Sequence, residues 1–121
     1  KGNGGHYIKS RAPRITVTNS SFDDTQGRTT NYMIDLPAGA SGVISGNVFV
    51  QGKNKENWSA FIAVAAEGKK NSSAGLNIHS NSASLAKGVE RNTWFVADWS
   101  GDQMRIANNS LGRGLTRYER R

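Results

Sequence analysis

Apolar residues alternate with polar ones along most of the chain, and one alternating motif occurs four times. The clearest copy lies in residues 43–50 (VISGNVFV), where two alternating apolar positions lead into a polar pair and an apolar residue follows. Residues 17–22 (VTNSSF) and 106–111 (IANNSL) repeat it well, and residues 78–83 (IHSNSA) repeat it more loosely. The spacings between successive copies are 27, 34 and 28 residues. A repeat of this length with strand periodicity is typical of a solenoid of stacked coils.

Turn chemistry divides the chain into four such coils. Proline, glycine, asparagine and serine interrupt the apolar stretches, and no stretch has the composition of a long helix. We expect short strands within the coils and a bulge at the Ser-rich residues 80–92. The predicted coils cover approximately residues 5–30, 31–57, 58–92 and 93–115, and a frayed basic tail follows at 116–121. The predicted strands are at residues 7–11, 14–22, 32–36, 41–50, 58–66, 76–78, 93–97 and 104–106.

Superposing the coils predicts columns of inward apolar side chains in a narrow core, with parallel strands about 4.8 Å apart. The first column is Ile8, Ile34, Ile62 and Phe95; the second is Ile15, Leu76 and Met104; the third is Val17, Ile44, Ile78 and Ile106. Asparagines near the turns suit tight corners, since asparagine tolerates left-handed backbone conformations. A stacked amide ladder is the alternative interpretation, although the alignment shifts by a residue between coils. These asparagines are Asn19, Asn47, Asn81, Asn108 and Asn109.

Length, cysteine content and charge narrow the class of protein. The 121 residues suffice for one domain, and the absence of cysteine excludes a disulfide framework and a thiolate metal site. No apolar run approaches the roughly 20 residues that a membrane-spanning helix needs. The net charge of +7 suits polyanions, although a plain surplus of surface lysine and arginine would give the same total. No nucleic-acid-binding motif is present, so nucleic acid is not the expected partner.

Several strings together resemble a known family. GHYIKSRA, NSSF, YMIDLPAG, GVISGNVFVQG and AVAAEG, in this order, resemble the C-terminal coils of bacterial right-handed parallel β-helix repeat proteins of the pectate-lyase-like superfamily. The resemblance covers most of residues 5–111. It implies an all-β fold, a single-stranded right-handed parallel β-helix of about four coils. It also implies a secreted or cell-surface bacterial protein, and a β-helix this short would be part of a longer protein or stacked against a partner.

A more distant resemblance points to a chemistry. Lys9 and Ser10, followed by GNVF, are similar to polysaccharide lyases of the chondroitinase B and alginate lyase type. Those enzymes have a Lys-Ser strand motif and, a coil later, an Arg-His-Gly motif before a Gly-Asn-x-Phe turn. Residues 34–39 (IDLPAG) take the place of the second motif without Arg or His. Lys9 is therefore the one residue that the resemblance carries over, as the base.

The candidate site lies on the outward face of the first strand. β-Elimination from a uronic acid needs a base for the proton next to the carboxylate and a cation to neutralise that carboxylate. Lys9 is the candidate base and Arg11 the candidate cation. His6, Asp35 and Glu67 are expected nearby and complete a substrate-binding face. The alternative is that Lys9 and Asp35 form only an ion pair between neighbouring coils.

Aromatic and acidic residues add two further hypotheses. Trp58 and Trp99 lie near strand starts and loops, where an exposed ring could stack on a sugar. The turn carboxylates of residues 23–24, Asp98 and Asp102 could hold a calcium-type cation, but no calcium-loop spacing is present, so no cofactor is expected.

The sequence thus predicts that the protein recognises an acidic polysaccharide. In the catalytic version of this hypothesis the protein also cleaves the polysaccharide by β-elimination. The alternative is a non-catalytic β-helix module, for glycan binding or structure, of a larger surface or phage-tail-like protein.

Overall fold

Short parallel strands build the whole described part of the protein. A computed structural model describes residues 8–25, 31–53 and 59–121, and within them there are thirteen β-strands and no helix. No helix of the described residues is thus long and apolar enough to span a membrane. The strands are β1 (Ile8–Lys9), β2 (Arg14–Thr18), β3 (Ser21–Asp23), β4 (Ile34–Leu36), β5 (Ser41–Ser45), β6 (Val48–Gln51), β7 (Ala60–Val64), β8 (Asn77–His79), β9 (Ser82–Leu85), β10 (Thr93–Asp98), β11 (Arg105–Ala107), β12 (Ser110–Leu111) and β13 (Leu115–Arg120).

The strands form three parallel sheets, and each sheet takes every third strand. The first sheet has the order β1-β4-β7-β10-β13, the second β11-β8-β5-β2 and the third β12-β9-β6-β3. The chain therefore visits the three sheets in turn and then returns beside its own earlier strand. We call one strand from each sheet at the same level a rung, so that β1, β2 and β3 form the first rung. The prediction of an all-β fold with parallel strands is confirmed.

The repeated motif keeps the register that its sequence alignment predicts. Each copy contributes a strand of the second sheet, a polar turn and a strand of the third sheet. The first apolar position forms the column Val17, Ile44, Ile78 and Ile106. The last apolar position forms the column Phe22, Phe49, Ala83 and Leu111.

Three local predictions are wrong. In the first column Val96, not Phe95, lies beside Ile62. β7 is apolar throughout and β10 has four apolar residues in a row, so periodicity cannot fix their register. Residues 80–92 do not simply bulge, because Ala83 packs inward and β9 joins the third sheet. The frayed basic tail is instead β13, a six-residue strand paired with β10, whose Leu115 and Tyr118 pack against the core.

An asparagine ladder connects the rungs at the turn between the second and third sheets. The backbone N–H groups of Ser20, Asn47 and Asn81 donate to the Oδ1 atoms of Asn47, Asn81 and Asn109 at 2.9, 3.0 and 3.0 Å. The side-chain amides also bond to one another, from Asn47 to Asn81 at 3.0 Å and from Asn81 to Asn109 at 2.9 Å. The amide-ladder interpretation is therefore confirmed.

The apparent shift of the asparagines comes from a second column directly before the ladder. Asn19, Ser80 and Asn108 have positive φ values of 51°, 57° and 56°, and Gly46 has 69°. This left-handed residue turns the chain from the second sheet into the third, which is why residues 14–22 form two strands rather than one. Asn19 and Asn108 thus belong to the turn column.

The core between the sheets is narrow and rich in aromatic rings. Phe22 and Phe49 stack with ring centroids 5.0 Å apart, and Phe95 meets Phe49 edge to face at 5.7 Å. Phe61 lies against both Phe49 and Phe95. All five residues of β7 are buried, as its continuous apolar run predicts. This packing holds the three sheets and the loops between them in fixed positions.

Candidate functional site

The predicted site residues come from separate elements, and the structure brings only some of them together. Lys9 is exposed in β1 and lies in register with Asp35 of β4. Asp35 is only 5% exposed, so its carboxylate belongs to the packing of the sheet rather than to an open surface. His6 and Trp58 lie outside the described residues.

Arg11 and Glu67 do meet. The Arg11 guanidinium donates to both Glu67 oxygens, at 2.9 and 3.2 Å, although the two residues are 56 positions apart. The hydrogen bond from Arg11, helped by the charges of Arg11, Lys9 and Lys70, holds the pKa of Glu67 below its usual range. Both partners are more than half exposed, so the pair contributes little to stability. Its consequence is electrostatic, because Glu67 already neutralises part of the charge of Arg11.

A second ion pair lies farther along the same side. Lys69 Nζ contacts Asp102 at 2.5 Å, and Asp102 also accepts the backbone N–H of Ser73 at 2.8 Å. The Lys69 bond first, and then the Ser73 bond, lower the pKa of Asp102; the charges of Lys69 and Arg120 act in the same direction.

We call this region the basic corner: Lys9, Arg11, Lys69, Lys70 and Arg120, with the acids Glu67 and Asp102. Lys9 and Arg120 lie in the strands β1 and β13. The other five residues lie in the loops that lead from the first sheet to the second, after β1, β7 and β10. These loops lie above one another because the strands that they connect are stacked in the sheets. The Asn71 side chain, in the loop after β7, connects this loop to the loops after β1 and β4, since its Nδ2 donates to the carbonyl oxygens of Arg11 and Gly39 at 3.1 Å each.

Sequence reasoning missed Lys69, Lys70 and Arg120 as members of the site. The adjacent lysines of residues 67–73 (EGKKNSS) were the available signal, but a charge run in a loop does not reveal which strand end it will meet. Arg120 was placed in the tail, and only the pairing of β13 with β10 brings it to this side.

Trp99 is not a freely presented ring. It is half-buried and packs against the apolar cluster of Tyr32, Ala60, Ala63 and Ala97. The Arg121 guanidinium lies 5.4 Å from the ring centroids of both Trp94 and Trp99, and it donates to the Ser59 carbonyl at 2.8 Å. These contacts engage Trp99 with the protein's own side chains.

The other acidic candidates are bound within the structure. Asp98 is fully buried and accepts bonds from the Ser100 backbone at 2.8 Å and from the Tyr118 hydroxyl at 2.6 Å. Burial, together with the Asp98 bond, raises the pKa of Tyr118 to about 12. Asp24 is also fully buried and accepts the N–H of Gly52. Among the described residues no group of three metal-ligating side chains occurs. These carboxylates act as turn supports.

Burial of acids leaves few exposed carboxylates in the part of the chain that the structure describes. Within residues 8–25, 31–53 and 59–121 only Glu67 and Glu90 are exposed acids. Asp24, Asp35 and Asp98 are at most 5% exposed. The exposed bases in the same ranges are Lys9, Arg11, Arg14, Lys53, Lys69, Lys70, Lys87, Arg105, Arg113, Arg117 and Arg120.

Two of the grooves among the described residues lie outside the basic corner, one of them beside its last rung. The larger, of about 580 Å³, lies between Leu85, Val89 and Arg113, at the corner between the third and first sheets. The smaller, of about 360 Å³, lies at the last rung beside Met104, Arg117 and Tyr118. Neither contains a residue that sequence reasoning proposed for catalysis.

Comparison of the chain with protein-family models, with curated proteins and with solved structures finds no match.

Proposed function

We propose that the chain is a segment of a right-handed parallel β-helix of about four coils that binds an acidic polysaccharide along its basic corner. Three parallel sheets that take strands in strict rotation support the β-helix. Right-handedness follows from the general rule for parallel crossover connections. The resemblance to pectate-lyase-like repeat proteins agrees with both parts of the proposal.

One observation carries the binding proposal: eleven exposed bases accompany two exposed acids in the described residues. A surface of this kind attracts polyanions over a Debye length of about 8–10 Å at moderate salt. A linear polyanion can contact cations that lie at several levels of the stack. The basic corner offers cations at three levels, which are Lys9 and Arg11 at the first rung, Lys69 and Lys70 at the third, and Arg120 beyond the fourth.

Binding fits the corner better than β-elimination does. A lyase needs an available cation to neutralise the uronate carboxylate next to the base. Arg11, the cation nearest Lys9 in sequence, already shares its charge with Glu67. The charges of Lys9 and Lys70 also interact with the Glu67 carboxylate. We therefore place recognition first, and Lys9-dependent cleavage is an additional activity that the binding experiment also tests.

The test compares acidic and neutral polysaccharides under one condition. Immobilised alginate, polygalacturonate and chondroitin should retain the protein at low salt, whereas a neutral glucan should not. Equal retention on neutral glucan, or none on any acidic glycan, would reject the proposal and leave a structural module. Ultraviolet absorbance of unsaturated uronates, followed in the same mixtures, reports cleavage, and the Lys9→Ala variant shows whether Lys9 is its base.

A further inference from the structure

Three carbonyl groups of the second sheet are satisfied in the same way. The amide Nδ2 of Asn47 donates to the Val17 carbonyl at 3.0 Å, which belongs to the preceding rung. Asn81 repeats this bond to Ile44 at 3.0 Å, and Asn109 repeats it to Ile78 at 3.1 Å. Each ladder asparagine therefore donates a hydrogen bond to a carbonyl oxygen of the preceding rung.

At the last rung an arginine replaces the asparagine. Ile106 continues the column of Val17, Ile44 and Ile78. Its carbonyl accepts a hydrogen bond at 3.0 Å from Nη1 of Arg117. Arg117 comes from β13, which pairs with β10 in the first sheet and so lies one level beyond the fourth rung. The arginine thus reaches from one sheet across the end of the next.

We propose that Arg117 caps the asparagine ladder. It takes the position on Ile106 that the amide of a further ladder asparagine would take, and it thereby closes this end of the second and third sheets to an added rung. Exposed strand edges such as those of β11 and β12 are otherwise templates for pairing with an extended chain. Any rung laid on β11, from this chain or another, has to displace the guanidinium.

The bonds of the ladder also determine which segment could pair with β11 and β12 once Arg117 is displaced. The bonds of the ladder require a strand, an asparagine and a second strand, as in residues 41–51 (SGVISGNVFVQ), where Asn47 joins β5 to β6. The first rung of a second copy offers Ser20 at this position, and the Ser20 hydroxyl donates to the Thr18 carbonyl at 2.9 Å. A second copy added by its first rung is therefore a poorer fit than a strand–asparagine–strand segment.

Fluorescence anisotropy of a labelled peptide of residues 41–51 tests the cap. Arg117→Ala should bind this peptide at least tenfold more tightly than the unsubstituted protein. Arg113→Ala removes the same charge from an exposed turn and should bind as weakly as the unsubstituted protein. A peptide with Asn47→Ala should lose the gain. Equal affinity of all three proteins, or a gain that the alanine peptide keeps, would overturn the proposal.

A second measurement needs no folded variant. In the unsubstituted protein the guanidinium N–H protons of Arg117 should exchange with solvent more slowly than those of exposed Arg113, because Arg117 is bonded to Ile106. Nuclear magnetic resonance of ¹⁵N-labelled arginine resolves the two. Equally fast exchange at Arg117 and Arg113 would show that the cap does not form.

Discussion

Removal of the Asn81 side chain should destabilise the protein more than any exposed substitution, because Asn81 is the middle of the ladder. The residue is 3% exposed. Its Oδ1 accepts the backbone N–H and the side-chain amide of Asn47, at 3.0 Å each. Its Nδ2 donates to the Ile44 carbonyl at 3.0 Å and to Asn109 at 2.9 Å. Asn81→Ala therefore removes four hydrogen bonds from a buried turn.

The magnitude follows from these four bonds. A protein hydrogen bond contributes about 1 kcal/mol net, and a buried group left without a partner costs about 1–3 kcal/mol. Four bonds give a loss of about 4 kcal/mol in the free energy of unfolding, a large fraction of the total for a domain of this size. Urea unfolding followed by circular dichroism measures the loss by linear extrapolation. Ser82→Ala, one position away and exposed, should change the free energy by less than about 0.5 kcal/mol. A loss below about 1 kcal/mol for Asn81→Ala would refute the view that amide bonds hold the rungs together.

Two further predictions concern titratable groups. The Tyr118 phenol should ionise near pH 12 in the folded protein and near pH 10 in the unfolded protein. The stability that the neutral phenol contributes is therefore complete below pH 10 and is lost as the pH rises towards 12. Ultraviolet titration of the phenol and unfolding measured across this pH range check this prediction. A folded-state pKa of 10 would contradict both the burial of the Tyr118 phenol and its bond to Asp98. Arg11→Ala should raise the pKa of Glu67 towards its ordinary value, as carbon-detected magnetic resonance of the carboxyl group can follow, while stability changes by less than about 1 kcal/mol because the pair is exposed. An unchanged pKa would show that the two side chains do not meet in solution.

The repeat and the register of the second and third sheets are predictable from the sequence. Alternation places Ile44 and Phe49 inward, and the polar turn between them recurs in every copy, so one alignment fixes both columns. Periodicity fails at β7 and along residues 94–97 of β10, because these runs are apolar throughout and no polar residue within them marks an outward face. In β7 the neighbours Phe61 and Ile62 are both fully buried. The basic composition of residues 116–121 likewise conceals β13, because its two inward contacts, Leu115 and Tyr118, are few among charged residues.

The candidate site was less predictable than the fold. Lys9, Arg11 and Glu67 were expected on one face, and Arg11 and Glu67 do form an ion pair across 56 positions. Burial of Asp35 was not predictable, because outward strand positions are usually exposed and only the packing of the first sheet covers this one. The contact of Arg121 with Trp99 also depends on the pairing of β13, which the sequence does not reveal.

The basic corner is tested most directly by the affinity for alginate at several salt concentrations. Lys69→Ala combined with Lys70→Ala removes two charges from the corner, and Lys53→Ala combined with Lys87→Ala removes two exposed charges from other loops. If the polysaccharide lies along the corner, the first pair should weaken binding about tenfold and reduce its salt dependence, because fewer counterions are released. The second pair should weaken binding less than about threefold. Equal losses for the two pairs, or an unchanged salt dependence for the first, would contradict binding at the basic corner.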